Sequence, residues 1–158
     1  MKMMHVLFVC LGNICRSPMC EAVFRELIDQ AGLTDKIGVD SAGTADWHQG
    51  KAPHEGTREV LERENISYDG MKARQFQMDD WTHFDYIIVM DTANRQAIKS
   101  GYDGNKDVVL AMLSDYIVDP AEVDVPDPYF TGNFDDTYEL VTNGCQALLT
   151  HIRDNHNI

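Results

Sequence analysis

A thiol and a guanidinium lie six positions apart near the start of the chain, at Cys10 and Arg16. A thiolate is a strong nucleophile, and a planar guanidinium can hold two phosphate oxygens at once, which an ammonium cannot. The chain has four cysteines, and among that number such a spacing arises by chance about one time in four. The pair therefore indicates phosphate chemistry only if the residues around it support that interpretation.

The flanking residues predict a short loop between a buried strand and a helix. Residues 6–9 have the composition of a strand buried on both faces, while Ser17 and Pro18 suit the N-cap and first position of a helix. Such a loop directs its backbone N–H groups and the helix N-terminus towards one point, which attracts an oxyanion. We therefore expect Cys10 at the bottom of a phosphate-binding cup, where positive potential and the Ser17 hydroxyl favour its thiolate.

Gly12 and Asn13 fit the same interpretation, because they are residue types that readily adopt positive φ where a backbone curls around a ligand. The loop differs from an ATP-binding loop, because no Gly-Lys-Ser/Thr triplet follows Gly12.

Alternating strand and helix patterns position this loop. Apolar runs predict strands at 6–9, 37–42, 86–90 and 108–112, and apolar residues spaced i, i+3, i+4 predict helices at 18–31, 54–65, 92–99 and 134–152. Gly32 supplies a stop for the first helix. The alternation predicts a single α/β domain over residues 1–158, with a doubly wound parallel sheet and helices on both faces. Ligands of such sheets bind beyond the carboxyl ends of the strands, where Cys10 lies.

The composition argues against several classes of protein. Only 13 Lys and Arg face 26 Asp and Glu, a net charge of −13, whereas nucleic-acid binding requires a basic surface. The six histidines show no paired spacing typical of metal ligands. The apolar stretch at the start of the chain is too short for a membrane-spanning helix and lacks a signal cleavage region. We therefore expect a cytoplasmic protein that binds no membrane and keeps its thiols reduced. We also expect a monomer.

Two of the four cysteines are expected to be structural. Cys20 and Cys145 fall on the apolar stripes of the first and last predicted helices, where a thiol packs as a small hydrophobe. Cys15 has two open interpretations. It can trap a sulfenic acid on Cys10 as a reversible disulfide, or it can pack as a small side chain behind the loop.

The segment 10–18, Cys-Leu-Gly-Asn-Ile-Cys-Arg-Ser-Pro, resembles the signature of the low-molecular-weight protein tyrosine phosphatases. Segments 40–44, 72–75, 85–91 and 127–129 resemble further motifs of that family, in the same order, so the resemblance covers essentially the whole chain. It implies a cysteine-dependent phosphomonoesterase with a four-stranded parallel sheet, no metal and no other cofactor. Its substrate would be a phosphotyrosine protein, for which a tyrosine kinase is one candidate.

The resemblance also implies roles for individual residues. Cys10 attacks phosphorus and forms a phosphocysteine, while Arg16 and the loop amides bind the phosphate oxygens. The implied substrate-binding residues are Leu11, Gly12, Asn13, Ile14, Cys15, Ser17, Trp47 and Tyr129. Trp47 and Tyr129 would wall the slot for the aromatic ring, with Leu11 and Phe130 as lesser contacts. Asn13 would hold the shape of the loop through a bond to a neighbour such as Ser41.

A general acid must protonate the departing phenolate, and two Asp-Pro pairs could supply it. From the residue types alone, Asp119 and Asp127 serve equally, because each precedes a rigid proline in a predicted loop. Tyr129 and Phe130 follow the second pair and suit a phenyl ring, and the family has Asp-Pro-Tyr at this point. We therefore assign the acid to Asp127, with Asp124 as an outside alternative.

The chain departs from the family pattern at two positions. Met71 stands where many members have a histidine, which puts in doubt a hydrogen bond to Asp40. Phe130 replaces the second of two tyrosines, so only Tyr129 could accept a regulatory phosphate there.

An arsenate reductase of the same fold is the nearest alternative, because some of these enzymes share an N-terminal Cys-x5-Arg loop. They pass electrons through further cysteines on a downstream segment, whereas this chain has none between Cys20 and Cys145. An inactive phosphoprotein-binding module is a second alternative. It would need a broken nucleophile or acid, and both are present.

Overall fold

The computed structural model describes residues 2–102, 107–118 and 123–158. Its four strands are β1 (Met4–Cys10), β2 (Ile37–Gly43), β3 (Tyr86–Val89) and β4 (Val109–Met112). They form one parallel sheet in the order β2-β1-β3-β4, which confirms the predicted doubly wound sheet. The strand β1 lies between β2 and β3, and Cys10, which ends β1, pairs with Gly43 of β2.

Among the residues that the structure describes, six helices accompany the sheet: α1 (Arg16–Gln30), α2 (Glu55–Arg63), α3 (Asp80–His83), α4 (Thr92–Lys99), α5 (Pro128–Thr131) and α6 (Phe134–His156). A 3₁₀ helix at Leu113–Tyr116 follows β4. In the described ranges, none of the helices has both the length and the apolar character needed to span a membrane.

Apolar side chains form a core on each face of the sheet. Val6 and Phe8 of β1 point to the face covered by α1 and α6, while Leu7 and Val9 point to the face covered by α3 and α4. This alternation follows from the two-residue period of a strand, and all four side chains are fully buried. The sheet therefore fixes the direction of β1 from both sides, and with it the position of Cys10.

The start of α1 differs from the sequence prediction. The helix begins at Arg16 rather than Pro18, so Ser17 lies inside its first turn and is not the N-cap. Cys15 occupies the N-cap and makes no side-chain capping bond. The Ser17 hydroxyl lies instead within hydrogen-bonding distance of Cys10 and Asn13 in the loop and of the Ala42 carbonyl in β2. Gly32, with φ of 69°, follows the helix as predicted.

Two further details of the prediction are corrected or left open. Gly12 is not among the residues with positive φ, whereas Asn13 adopts φ of 56°. A single left-handed residue is enough to turn the loop, because the backbone on either side is already tied to its neighbours. Asp119, the alternative acid, lies outside the described residues.

Candidate active site

Cys10 ends the central strand and opens the loop. Its Cα pairs with Gly43 of β2, and its Sγ lies 3.0 Å from the Ser17 Oγ. The side chain is buried, and the four cysteines are all free thiols. A hydroxyl at this distance can donate a hydrogen bond to a thiolate, as the sequence analysis expected.

Asn13 fixes the shape of the loop. Its Nδ2 donates to the Ser17 Oγ at 2.8 Å and to the Ser41 Oγ at 2.9 Å, while its Oδ1 accepts from the Arg74 N–H at 2.9 Å. The predicted bond to Ser41 is confirmed. One side chain thus ties the loop to α1, to β2 and to the segment that carries Arg74.

The end of β2 approaches the loop closely. The Thr44 N–H donates to the Cys10 carbonyl at 2.9 Å, and the Ala45 N–H donates to the Leu11 carbonyl at 3.0 Å. A Cβ on Gly43 would lie 2.8 Å from the Leu11 oxygen, so a glycine is required for this approach. These bonds occupy the carbonyls of Cys10 and Leu11 and tie the start of the loop to β2.

The segment that leads into α2 supports the loop from the opposite side. The His54 N–H donates to the Ile14 carbonyl at 2.7 Å, and the Thr57 Oγ1 donates to the Cys15 carbonyl at 3.2 Å. The loop is therefore held by β2, α1 and α2 together, which makes it rigid before any ligand binds.

Arg16 is buried beneath the loop, with only 2% of its surface exposed. It donates to the Asp91 Oδ2 at 2.6 Å, to the Val125 carbonyl at 3.0 Å and to the Asp127 Oδ2 at 3.2 Å. Burial lowers the pKa of Arg16, but the negative charge of Cys10, Asp91 and Asp127 outweighs it and raises the pKa overall. The guanidinium is thus a fixed positive charge next to the nucleophile.

Cys15 is the second cysteine of the loop. Burial raises the pKa of Cys15 to about 12, and the negative charges of Asp127 and Cys10 act in the same direction. Cys15 is therefore a neutral thiol at physiological pH. Cys20 and Cys145 are fully buried in the core, which confirms their predicted structural role.

Asp127 faces Arg16 from a separate segment. It is the N-cap of α5, and its Oδ1 accepts the Tyr129 N–H at 3.1 Å while its Oδ2 faces the guanidinium of Arg16. The helix ends at Gly132, which has φ of 75°. The carboxylate therefore sits on a single helical turn that is aimed at the loop.

A cavity of about 220 Å³ opens between the loop and this turn. Its lining residues are Cys10, Leu11, Gly12, Ile14, Cys15, Trp47, His48, Asp127, Tyr129 and Phe130. Three aromatic side chains form an exposed rim, with 67% of Trp47, 53% of Tyr129 and 75% of Phe130 accessible. Of the predicted substrate-binding residues, Asn13 and Ser17 do not line the cavity but lie buried beneath it, as does Arg16.

The cavity and its supports define a small, largely apolar slot with a nucleophile at the bottom and a carboxylate at the side. Within the described part of the chain, no cluster of three or more His, Cys, Asp or Glu side chains is placed to hold a metal ion. The arrangement is suited to attack on an anionic group that is carried by an aromatic ring.

A family model described as low molecular weight phosphotyrosine protein phosphatase matches residues 5–157. The chain belongs to this phosphatase family. The low molecular weight protein-tyrosine-phosphatase YfkJ of Bacillus subtilis is 52% identical over 151 residues, covering 96% of this chain and 97% of that protein. PtpA of Staphylococcus epidermidis, which has the same description, is 44% identical over 156 residues and covers 99% and 98%.

A solved structure supports the same family. The crystal structure of Bacillus subtilis YfkJ superposes with a TM-score of 0.95 at 50% identity, covering 99% of this chain and 98% of that one. These findings confirm the family, the fold and the enzyme class that the sequence predicts. The chain is a protein-tyrosine-phosphatase that acts on phosphoproteins.

Three residues of the phosphatase site were missed by the sequence analysis. Asp91 binds Arg16 and caps α4, where its Oδ1 accepts the Asn94 N–H at 2.7 Å. His48 lines the cavity next to Gly12. A Cβ added to Gly12 would lie 2.9 Å from the Cδ2 of the His48 imidazole. His54 supports the loop. His48 follows Trp47, and Asp91 ends the motif segment 85–91, so the sequence carried a signal for both, whereas nothing local marks His54.

The doubt raised by Met71 is resolved by a different contact in this phosphatase. The Asp40 Oδ1 accepts the Ser41 N–H at 2.8 Å, and its Oδ2 accepts from the Arg74 Nε at 3.3 Å. Arg74 thus takes up the carboxylate that a histidine would have bound. The arsenate reductase alternative loses its support, because Cys145 is fully buried within α6 and donates towards the Cys20 carbonyl.

Proposed function

We propose that the phosphatase hydrolyses phosphotyrosine through a covalent phosphocysteine on Cys10, with Asp127 as the general acid and then the general base. The observation that carries the proposal is that Cys10 and Asp127 line one cavity, while the guanidinium of Arg16, buried beneath it, lies 3.2 Å from the Asp127 Oδ2. A nucleophile, an anion-binding group and a proton donor are the parts that this reaction needs.

In the first step, the Cys10 thiolate attacks phosphorus and an S–P bond forms. The bond between phosphorus and the tyrosine oxygen breaks, and its electron pair stays on that oxygen. Protonated Asp127 donates its proton to the oxygen, so the product leaves as a neutral phenol and Asp127 becomes a carboxylate.

In the second step, a water molecule attacks the phosphocysteine and gives a proton to the Asp127 carboxylate. The S–P bond breaks, inorganic phosphate leaves, and Cys10 is regenerated as a thiolate. The Ser17 Oγ, 3.0 Å from the sulfur, stabilises the charge that returns to it.

Arg16 and the loop amides hold the phosphate oxygens in both steps. Asp91 orients the guanidinium through the 2.6 Å bond, so that the Arg16 fork keeps one direction while the phosphate changes geometry. Donors fixed in advance need little reorganisation as charge develops, which is why this kind of stabilisation is large.

The aromatic rim supports an aryl substrate. Trp47 and Tyr129 stand at the mouth of the slot, and Leu11 lines it nearer the loop. A phenyl ring can insert between such walls, whereas the short stem of phosphoserine would leave them unfilled. The proposal places the enzyme in the cytoplasm, because the nucleophile must stay reduced. It also includes a monomer as the active form and a tyrosine kinase as one candidate substrate.

The experiment is hydrolysis of p-nitrophenyl phosphate in EDTA by wild type, Cys10→Ser and Asp127→Ala. We expect full activity in wild type, none measurable in Cys10→Ser, and a loss of about 10²-fold or more in Asp127→Ala that grows as the leaving group worsens. Activity that persists in Cys10→Ser would overturn the mechanism. Turnover that depends on arsenate and a thiol reductant would support the reductase instead.

A further inference from the structure

His54 lies between the phosphate-binding loop (residues 10–17) and the acid turn (residues 127–131). Its backbone N–H donates to the Ile14 carbonyl at 2.7 Å. Its Nδ1 accepts the Gly56 N–H at 3.0 Å, so the side chain caps α2. Both contacts hold the residue to the loop side of the site and define the orientation of its ring.

The imidazole ring is held on one face by Phe134. The two rings stack with centroids 5.1 Å apart and an angle of 17° between their planes. Phe134 in turn packs against Ile14 and Cys15 of the loop. It also lies against Gly56, where a Cβ would be 2.4 Å from the ring. The support for His54 is therefore closely packed.

The His54 ring also contacts Tyr129 of the acid turn. The ring of Tyr129 lies 5.9 Å away, at an angle of 77°, which is an edge-to-face contact. The Tyr129 N–H donates to the Asp127 Oδ1 at 3.1 Å. A short chain of contacts thus joins the loop to Asp127 through His54 and Tyr129.

The acid turn has several other supports, including the buried Val125 that precedes it, whose N–H donates to the Met90 carbonyl at 2.9 Å. Pro128 is buried, and Arg16 binds Asp127, but Phe130 and most of the Tyr129 side chain face outwards. His48 is a second neighbour of Tyr129, with ring centroids 6.2 Å apart. It belongs to the cavity lining itself. The ring of His54 is therefore one of the contacts that set the position of Tyr129 in the turn.

We propose that His54 is a positioning residue that sets the distance between the proton donor, Asp127, and the phosphate-binding loop by supporting Tyr129. The inference rests on the proposed function, in which Asp127 protonates the leaving phenolate. His54 touches neither substrate nor reacting atoms. Its imidazole acts on the reaction through the ring of Tyr129, while its backbone N–H supports the loop.

The test uses two substitutions that separate the ring of His54 from its capping atom. His54→Asn keeps an acceptor for the α2 N-terminus and removes the ring, whereas His54→Phe keeps the ring and removes the acceptor. Each variant is assayed with aryl phosphates whose leaving groups range from p-nitrophenol to phenol. The readout is kcat/KM, because it reports P–O cleavage even where hydrolysis of the phosphocysteine limits kcat.

We expect His54→Asn to lose about 10-fold in kcat/KM with phenyl phosphate and less than about 3-fold with p-nitrophenyl phosphate, because only a poor leaving group needs a well-placed acid. His54→Phe should restore the wild-type dependence on the leaving group while lowering the melting temperature by about 2–4 °C, through the lost cap. His151→Asn, an exposed histidine on α6, is the control and should match wild type.

A double variant tests the route of the effect. In a Tyr129→Ala background, adding His54→Asn should cause no further change in the leaving-group dependence, because the ring on which His54 acts is gone. An equal loss of kcat/KM for all leaving groups in His54→Asn, failure of His54→Phe to restore the dependence, or additive effects in the double variant would each overturn the proposal. Wild type without aryl phosphatase activity would instead refute the proposed function.

Discussion

The phosphate-binding loop and the acid turn face each other across one cavity, and they are held in different ways. The loop is buried and hydrogen-bonded to β2, α1 and α2, and the Asn13 side chain alone makes three bonds. The acid turn is one helical turn with an exposed aromatic side, held by an ion pair and by ring contacts. The comparison indicates a fixed binding site served by a more adjustable proton donor.

The difference has a chemical reason. Donors that stabilise developing charge are effective only if they are aligned before the reaction, since realignment would add to the barrier. The proton donor must instead admit an aryl ring, approach its oxygen and later accept a proton from water. Aromatic contacts tolerate small shifts, whereas short hydrogen bonds do not. The hydrogen bonds of the phosphate-binding loop therefore suit a fixed binding site, and the ring contacts of the acid turn suit a proton donor that must move slightly.

The largest expected effect comes from Arg16→Lys, which keeps the charge and removes the planar fork. We expect kcat/KM for an aryl phosphate to fall by about 10²–10³-fold, and competitive inhibition by inorganic phosphate to weaken in parallel. Arg63→Lys is the control, because Arg63 of α2 pairs with Asp135 and both side chains are exposed. It should retain wild-type kinetics. A fall in kcat/KM of less than about 3-fold in Arg16→Lys would mean that a positive charge alone, without the planar guanidinium, is enough to bind the phosphate.

A second prediction concerns the rigidity of the loop. Asn13→Gly removes the three side-chain bonds but tolerates φ of 56°, whereas Asn13→Ala loses the bonds and is also strained in the left-handed region. We expect the free energy of unfolding to fall by about 2 kcal/mol for Asn13→Gly and by about 3 kcal/mol for Asn13→Ala. Urea unfolding measures both values. Equal destabilisation would show that the left-handed backbone carries no cost there.

The smallest effect is on pH dependence and concerns Cys15. The thiol has an ordinary pKa near 9.0 and a folded-state pKa of about 12, so the folded protein holds it neutral where the unfolded chain ionises it. The associated stability is complete below about pH 9 and is lost as pH rises towards 12.

Between pH 7.5 and 10.5, the wild type should therefore lose about 2 kcal/mol more of its unfolding free energy than Cys15→Ala does. Urea titrations at the two pH values test this. An identical pH dependence in both proteins would show that Cys15 is not desolvated in the loop. It would then contradict the description of the phosphate-binding loop as tightly packed.

The parts of the site that lie close together in the sequence could be predicted. Cys10, Asn13 and Arg16 occupy one short segment, and their residue types point to a strand, a loop and a helix in that order. Asp127 was found because a proline and two aromatic residues follow it. The four strands were visible as short apolar runs, since a buried strand in a parallel sheet must be apolar on both faces.

What the sequence could not show depends on contacts between distant segments. Asp91 and His54 are unremarkable helix caps until the sheet order brings α4 and α2 to the loop. Ser17 was predicted both as an N-cap and as a partner of the Cys10 thiolate; its hydroxyl does lie beside Cys10, but the helix starts earlier, at Arg16. Local propensity was outweighed by the geometry of the site.

The separation of the two halves along the chain has a consequence for folding. Arg16 and Asp127 are 111 positions apart, whereas β1, α1 and β2, which build most of the loop, end by Gly43. Contacts of long sequence separation close late, because the loop-closure entropy must first be offset by other interactions. We expect a folding chain to gain affinity for phosphate before it gains turnover, so an incompletely folded chain captures anions without hydrolysing their esters.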